Sequence, residues 1–172
     1  MFVLGIDPGL SRCGYGGVSV EPAHAGRRPA YRAQLAGVLT TSPSLPLPER
    51  LAALAGELRA LLAECRPDAV VVERVFFQTN ARTAISVAQA SGLALAEAAG
   101  AGCPVAQYTS NEVKQAVAGY GAATKEQVQR LVQSQLDLPE PPRPADVADA
   151  LALALCHVTV APRLRRFAEA AL

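Results

Sequence analysis

The sequence predicts an α/β fold: a mixed five-stranded sheet, three antiparallel strands first and parallel strands after them, with helices on both faces. Strand-like and helix-like segments follow the order strand, strand, strand, helix, strand, helix, strand, helices, which is the signature of such a sheet. Between Asp68 and Glu73 the chain is apolar without alternation, as in a strand covered on both sides. Hydrophobic residues make up 51% of the chain while aromatics are 5% and Trp is absent, so the core is built from Ala, Val and Leu. A chain of 172 residues suits one compact domain, residues 1–172.

Phe2 to Ile6 is a short apolar run stopped by Asp7-Pro8-Gly9, a buried strand ending in a turn. Gly14, Gly16 and Gly17 lead into a second strand at Val18–Val20, and Tyr31–Thr40 forms a third, giving a meander. Leu51, Leu54, Leu58, Leu61 and Leu62 recur at helical spacing, with Pro48 fit for a first turn and Pro67 beyond the end. The strand that follows closes on Glu73. An Ala-rich helix spans about 81–99; Gly92 interrupts it at a cost of about 1 kcal/mol relative to Ala, which close helix packing would justify. Pro104 to Tyr108 is a short strand, and Ser110 or Asn111 caps a helix running through Val117. Gly119-Tyr120-Gly121 breaks the chain before the capping-box pair Thr124 and Gln127. After the stiff segment Pro139–Pro144, a last helix runs from Ala145 to about Val158 and holds Asp146 and Asp149 in its first turns.

Charge excludes little. Sixteen Lys and Arg against 15 Asp and Glu give a net +1, without the strong basicity that often marks a nucleic-acid binder. Cys13, Cys65, Cys103 and Cys156 show no CxxC spacing, and His24 and His157 lie far apart, so no familiar zinc pattern is present. Free thiols in a cytoplasmic protein are the expectation: no secretory signal precedes the first strand, and no apolar run approaches the roughly 20 residues that span a bilayer.

The acids are the informative feature. Asp146 and Asp149 are three residues apart on a helix and address one point from neighbouring positions of one face. Such crowding of like charge is unfavourable unless the helix N-terminus and a bound cation offset it. Hard divalent cations prefer carboxylate oxygen, and Asp7, Glu73, Asp146 and Asp149 suffice for two ions. Ions about 3.5–4 Å apart would activate water and stabilise a departing oxygen in phosphodiester hydrolysis. Each acid alone has a plainer explanation: turn chemistry for Asp7, a solvent-reaching strand end for Glu73, helix N-terminal preference for the other two.

Gly5-Ile6-Asp7-Pro8-Gly9 with Gly14-Tyr15-Gly16, Val72-Glu73-Arg74-Val75-Phe76, and Asp146-Val147-Ala148-Asp149-Ala150-Leu151-Ala152 resemble, in order, the motifs of RuvC-type Holliday-junction resolvases. Gln89–Gly92, Val113–Val117 and Gly121–Val128 add family-like segments, so the likeness runs nearly end to end. The resemblance implies a ribonuclease-H-like fold with the first strand beside the strand ending at Glu73. It also implies a crossover junction endodeoxyribonuclease of recombination and repair. Such an enzyme acts as a homodimer on four-way junction DNA, uses two Mg2+ per subunit (Mn2+ substituting), and makes paired nicks with 5'-phosphate and 3'-hydroxyl ends. A junction-migration helicase complex of the RuvA and RuvB type is the implied partner.

By resemblance Lys114 and Lys125 join the four acids as catalytic residues near the scissile phosphate. Phe76 matches a position that stacks on unpaired bases, worth about 1–3 kcal/mol per base, with core packing as the plainer role and Phe77 as its buried neighbour. Arg74, Asn80 and Arg82, with Arg163, Arg165 and Arg166, are candidates for DNA contact. The helix around Gly92 is the candidate dimer face. The segment from Glu21 to Tyr31 is longer than the family's turn. Two other readings compete. The glycines of residues 9–17 also resemble the first phosphate loop of actin-like ATPases, but a second phosphate loop and an adenosine region are missing. A junction-binding protein without turnover would not need all four acids.

Overall fold

The computed structural model describes residues 1–21, 29–75 and 81–170, with the side chains of 81–83 and 162–170 left aside. The elements are β1 (Phe2–Asp7), β2 (Arg12–Glu21), β3 (Ala30–Thr40), α1 (Leu47–Cys65), β4 (Ala69–Glu73), α2 (Ala81–Gly100), β5 (Val105–Tyr108), α3 (Ser110–Ala118), α4 (Lys125–Gln135) and α5 (Ala145–Ala170). The sheet runs β3-β2-β1-β4-β5. Pairing is antiparallel across β3-β2-β1 and parallel across β1-β4-β5, the expected mixed sheet.

Successive strand residues face opposite sides, and the central strands show it. Val3, Ala69 and Val71 join one core with residues of α3, α4 and α5. Leu4, Ile6, Val70 and Val72 join the other with Leu54, Leu58, Ala90 and Ala94 of α1 and α2. Both cores are made of Val, Leu and Ala, as the composition requires. α1 begins with Pro48 in its first turn, buries Leu54, Leu58 and Leu62, and ends on Arg66 in the left-handed conformation.

Four local readings change. The segment rich in glycine does not precede a strand at Val18; β2 starts at Arg12 and contains it. The reason is packing. β-carbons on Gly5, Gly14 and Gly16 would strike the backbone or side chains of Ala150, Asp146 and Leu151, so these glycines let α5 lie directly on the sheet. α3 is capped by Thr109, one residue before the expected Ser110, because Glu112 completes a reciprocal capping box with it. α5 runs to Ala170, past Val158, where the buried periodic pattern ends. Gly92 is exposed and a β-carbon there would meet nothing within 4 Å, so no close packing among the described residues accounts for it. The Thr124–Gln127 box opening α4 is as expected.

Candidate active site

Period-two alternation decides where the first two acids point. Asp7 follows Val3 and Gly5 on the α5 side of β1, and Glu73 follows Ala69 and Val71 on the same side of β4. Ile6 pairs with Val72 in the parallel register, so the next residues, Asp7 and Glu73, leave the sheet side by side. α5 crosses this face with Asp146 in its first turn and Asp149 in the next. Asp7, Glu73 and Asp149 line one cavity of about 190 Å³, together with Ser110 and Lys114 of α3 and Lys125 of α4. The two lysines are carried there by the two capped helices.

Electrostatics record the crowding. Burial pushes the Asp7 carboxyl up to about 7, with Asp149, Glu73 and Asp146 adding repulsion and Lys125 opposing it. Glu73 is also raised, by burial and then by Asp149, while Lys125 and a hydrogen bond with Asp7 act in the other direction. Lys125 donates to Asp149 Oδ2 at 3.3 Å, and the nearby Asp149 charge raises the lysine. Asp146 does not line the cavity; its Oδ2 accepts from Arg12 Nε and Nη2 at 2.9 and 2.8 Å.

Among the described residues no three His, Cys, Asp or Glu side chains close around a single point as a finished metal cage. The donor set nevertheless suits a hard divalent cation: four neighbouring carboxylates, two of them driven toward protonation by burial and one another. A cation would relieve that repulsion.

Lys114 and Lys125 thus fall beside three of the four acids, and Asp146 stands next to them with Arg12. Arg74 is exposed just beyond β4, its backbone N–H donating to the Tyr108 carbonyl at 2.8 Å. Phe76, Phe77 and Asn80 lie outside the described residues, as do the side chains of Arg82, Arg163, Arg165 and Arg166. Sequence reasoning missed Arg12 and Ser110. Local pattern gave no signal for Arg12: only with β2 starting there do residues 12, 14 and 16 share the face that meets α5. The four cysteines are free, two buried and two partly exposed.

A family model described as "Crossover junction endodeoxyribonuclease RuvC" matches residues 3–157. A protein of that name from Salinispora arenicola is 53% identical over 171 residues, covering 99% of this chain and 95% of its own length. One from Moorella thermoacetica is 48% identical over 171 residues, with 99% of each chain covered. The chain is similar to the Thermus thermophilus RuvC structure at 42% identity and a TM-score of 0.85, covering 95% of this chain and 96% of the other. It is also similar to T. thermophilus RuvC in complex with Holliday junction substrate, at 41% identity and a TM-score of 0.86 over the same shares.

Proposed function

The chain belongs to the RuvC family of crossover junction endodeoxyribonucleases, and from that membership together with its acid cavity we propose that it resolves four-way DNA junctions by paired, symmetric phosphodiester cuts. The products are nicked duplexes with 5'-phosphate and 3'-hydroxyl ends, ready for ligation in recombination and repair. One observation carries the reading: the parallel pairing of β1 with β4 delivers Asp7 and Glu73 to the face where α5 supplies Asp149, beside two lysines.

Asp7, Glu73, Asp146 and Asp149 would hold two Mg2+ per subunit, or Mn2+ in their place. When bound, such ions supply charge neutralisation, an activated water and a stabilised leaving oxygen. The protein's own contribution is distinct. Burial, and after it repulsion from Asp149, raises the carboxyls of Asp7 and Glu73, a cost that a bound cation would relieve. Lys125, held toward the site by Asp149, and Lys114 on α3 place positive charge where the scissile phosphate gains negative charge. Arg74, Asn80 and Arg82 contact the DNA backbone near the crossover, and Phe76 stacks on a base there.

The working unit is a homodimer of this single domain, two active sites matching the approximate twofold symmetry of a junction. The contact face is α2, where Ile85 is 58% exposed and Gly92 is open to close approach. Among the described residues no helix is long and apolar enough to cross a membrane; we place the enzyme in the cytoplasm, delivered to junctions by a migration complex of the RuvA and RuvB type. The test is a synthetic four-way junction with Mg2+ or Mn2+. Wild type should cut it, while Asp7→Asn and Glu73→Gln should bind it and leave it whole. Variants that cut at the wild-type rate would refute the assignment.

A further inference from the structure

We infer that Arg12 is a positioning residue for Asp146: it holds the carboxylate by one oxygen and leaves the other for the cation site, an inference that rests on the metal reading above. The two residues are 134 positions apart, yet both guanidinium donors, Nε and Nη2, converge on the same atom, Oδ2. No described residue donates to Oδ1. An ionised carboxylate has about four acceptor sites, so the second oxygen keeps its full capacity. Two charge-assisted bonds to one oxygen anchor that atom and restrict the swing of the group.

β2 supplies a matching constraint on the backbone. Two residues on, Gly14 lies against the Asp146 carbonyl and Cβ, and a side chain there would push the helix away. Arg12 and Gly14 share one face of β2, so a single stretch of strand sets both the depth of the α5 N-terminus and the direction of its first acid. Asp149 has Lys125, and Asp7 and Glu73 have each other and the sheet. Without Arg12, Asp146 would be the one acid of the four whose side chain no described residue orients.

A plain surface ion pair is the competing account, since the Arg12 and Asp146 side chains are 50% and 29% exposed and such pairs add little stability. The two accounts differ in what they predict for cation affinity. A partner that orients a metal-binding group typically changes that affinity about 10–100-fold, whereas an unrelated ion pair leaves it alone.

The experiment is calorimetric titration of Mn2+ into the DNA-free protein, for wild type, Arg12→Ala, Arg12→Lys, Asp146→Asn, Asp7→Asn and the double variant Arg12→Ala with Asp146→Asn. Thermal unfolding is measured in parallel. Arg12→Ala should weaken Mn2+ about tenfold with a nearly unchanged Tm, and Arg12→Lys should recover part of the loss. In the Asp146→Asn background the Arg12 substitution should have no further effect. Unchanged affinity in Arg12→Ala would overturn the inference, and tighter binding would overturn it by showing that the arginine competes with the cation. If Asp146→Asn alone leaves Mn2+ affinity intact, Asp146 is not a ligand and the Arg12 role goes with it. Loss of affinity in Asp7→Asn would then show that the rest of the metal reading still stands.

Discussion

Gly14 sits so close to the first turn of α5 that a β-carbon on it would overlap the Asp146 carbonyl and stand 2.9 Å from the Asp146 Cβ. The atoms in the way are backbone, which cannot swing aside as a flexible side chain would. Gly14→Ala must therefore lift the helix or bend the strand, and overpacking of this kind costs about 1–3 kcal/mol. Because Asp146 and Asp149 ride on the displaced turn, cleavage should fall by more than the loss of folded protein explains. Urea unfolding and single-turnover cleavage on the same preparations check both. Gly56→Ala is the control: exposed in the middle of α1 with nothing within 4 Å, it should stabilise by about 0.5–1 kcal/mol and leave cleavage alone.

The same contact shows what a sequence can and cannot disclose. Asp7 and Glu73 were legible because each ends an apolar run, and counting in twos from Val3 and Ala69 puts both on one face. The adjacency of β1 and β4 was not legible from local pattern and came only with the family likeness; their register came with the structure. The glycines at 14 and 16 misled because in isolation they do not read as strand residues, and their true cause is α5, at the far end of the chain. Arg12 stayed hidden for that reason, since its face is defined only once the strand is known to begin there. The α3 cap was readable and missed: Thr109, Ser110 and Asn111 are all cap types, and only Glu112, three residues after Thr109, separates them.

The raised carboxyls give stability a pH dependence of definite sign. Asp7 has an ordinary value of 3.8 when unfolded and about 7 when folded, so between those limits the folded chain binds more protons. Stability from this group must then fall as pH rises from about 4 to 7, with Glu73 adding in the same direction. Without divalent cation, Tm should be lower at pH 8 than at pH 5. Asp7→Asn should raise Tm at pH 8 and change it little near pH 4, each kcal/mol regained being worth about 2–4 °C in a domain of this size. Mg2+ should stabilise wild type more at pH 8 than at pH 5, because cation and proton compete for the same oxygens. A Tm for Asp7→Asn below wild type at pH 8 would contradict the burial argument.

Thr109 links helix stability to the cavity wall. Its side chain accepts from the Glu112 backbone N–H at 3.1 Å, and the Glu112 carboxylate accepts from the Thr109 N–H at 2.7 Å. Hydrogen bonding from the Thr109 backbone N–H, and after it from the Thr109 side chain, holds the Glu112 carboxyl below the usual carboxylate range. Thr109→Ala removes one side of the box and should cost about 1 kcal/mol, read by chemical denaturation. Thr109→Ser should retain most of it. Since α3 carries Ser110 and Lys114 into the cavity, the Ala variant should also cut more slowly, with junction affinity nearly unchanged.

Lys125 and Lys114 separate a role in the reaction from a role in the fold. Lys125 is 74% exposed and its bond to Asp149 is 3.3 Å, so the pair contributes little to stability, and Lys125→Ala should unfold within a degree or two of wild type. The same substitution removes a positive charge from the cavity and also frees Asp149 from its partner. If the lysine acts on the phosphate as charge develops, single-turnover cleavage should drop about 10²-fold or more, while junction affinity changes a few-fold at most. Lys114→Ala should behave alike without disturbing any of the described acid pairs, which makes it the cleaner measure of phosphate stabilisation. Equal losses in rate and in binding for both variants would mean that the lysines hold the DNA and take no part in the chemical step.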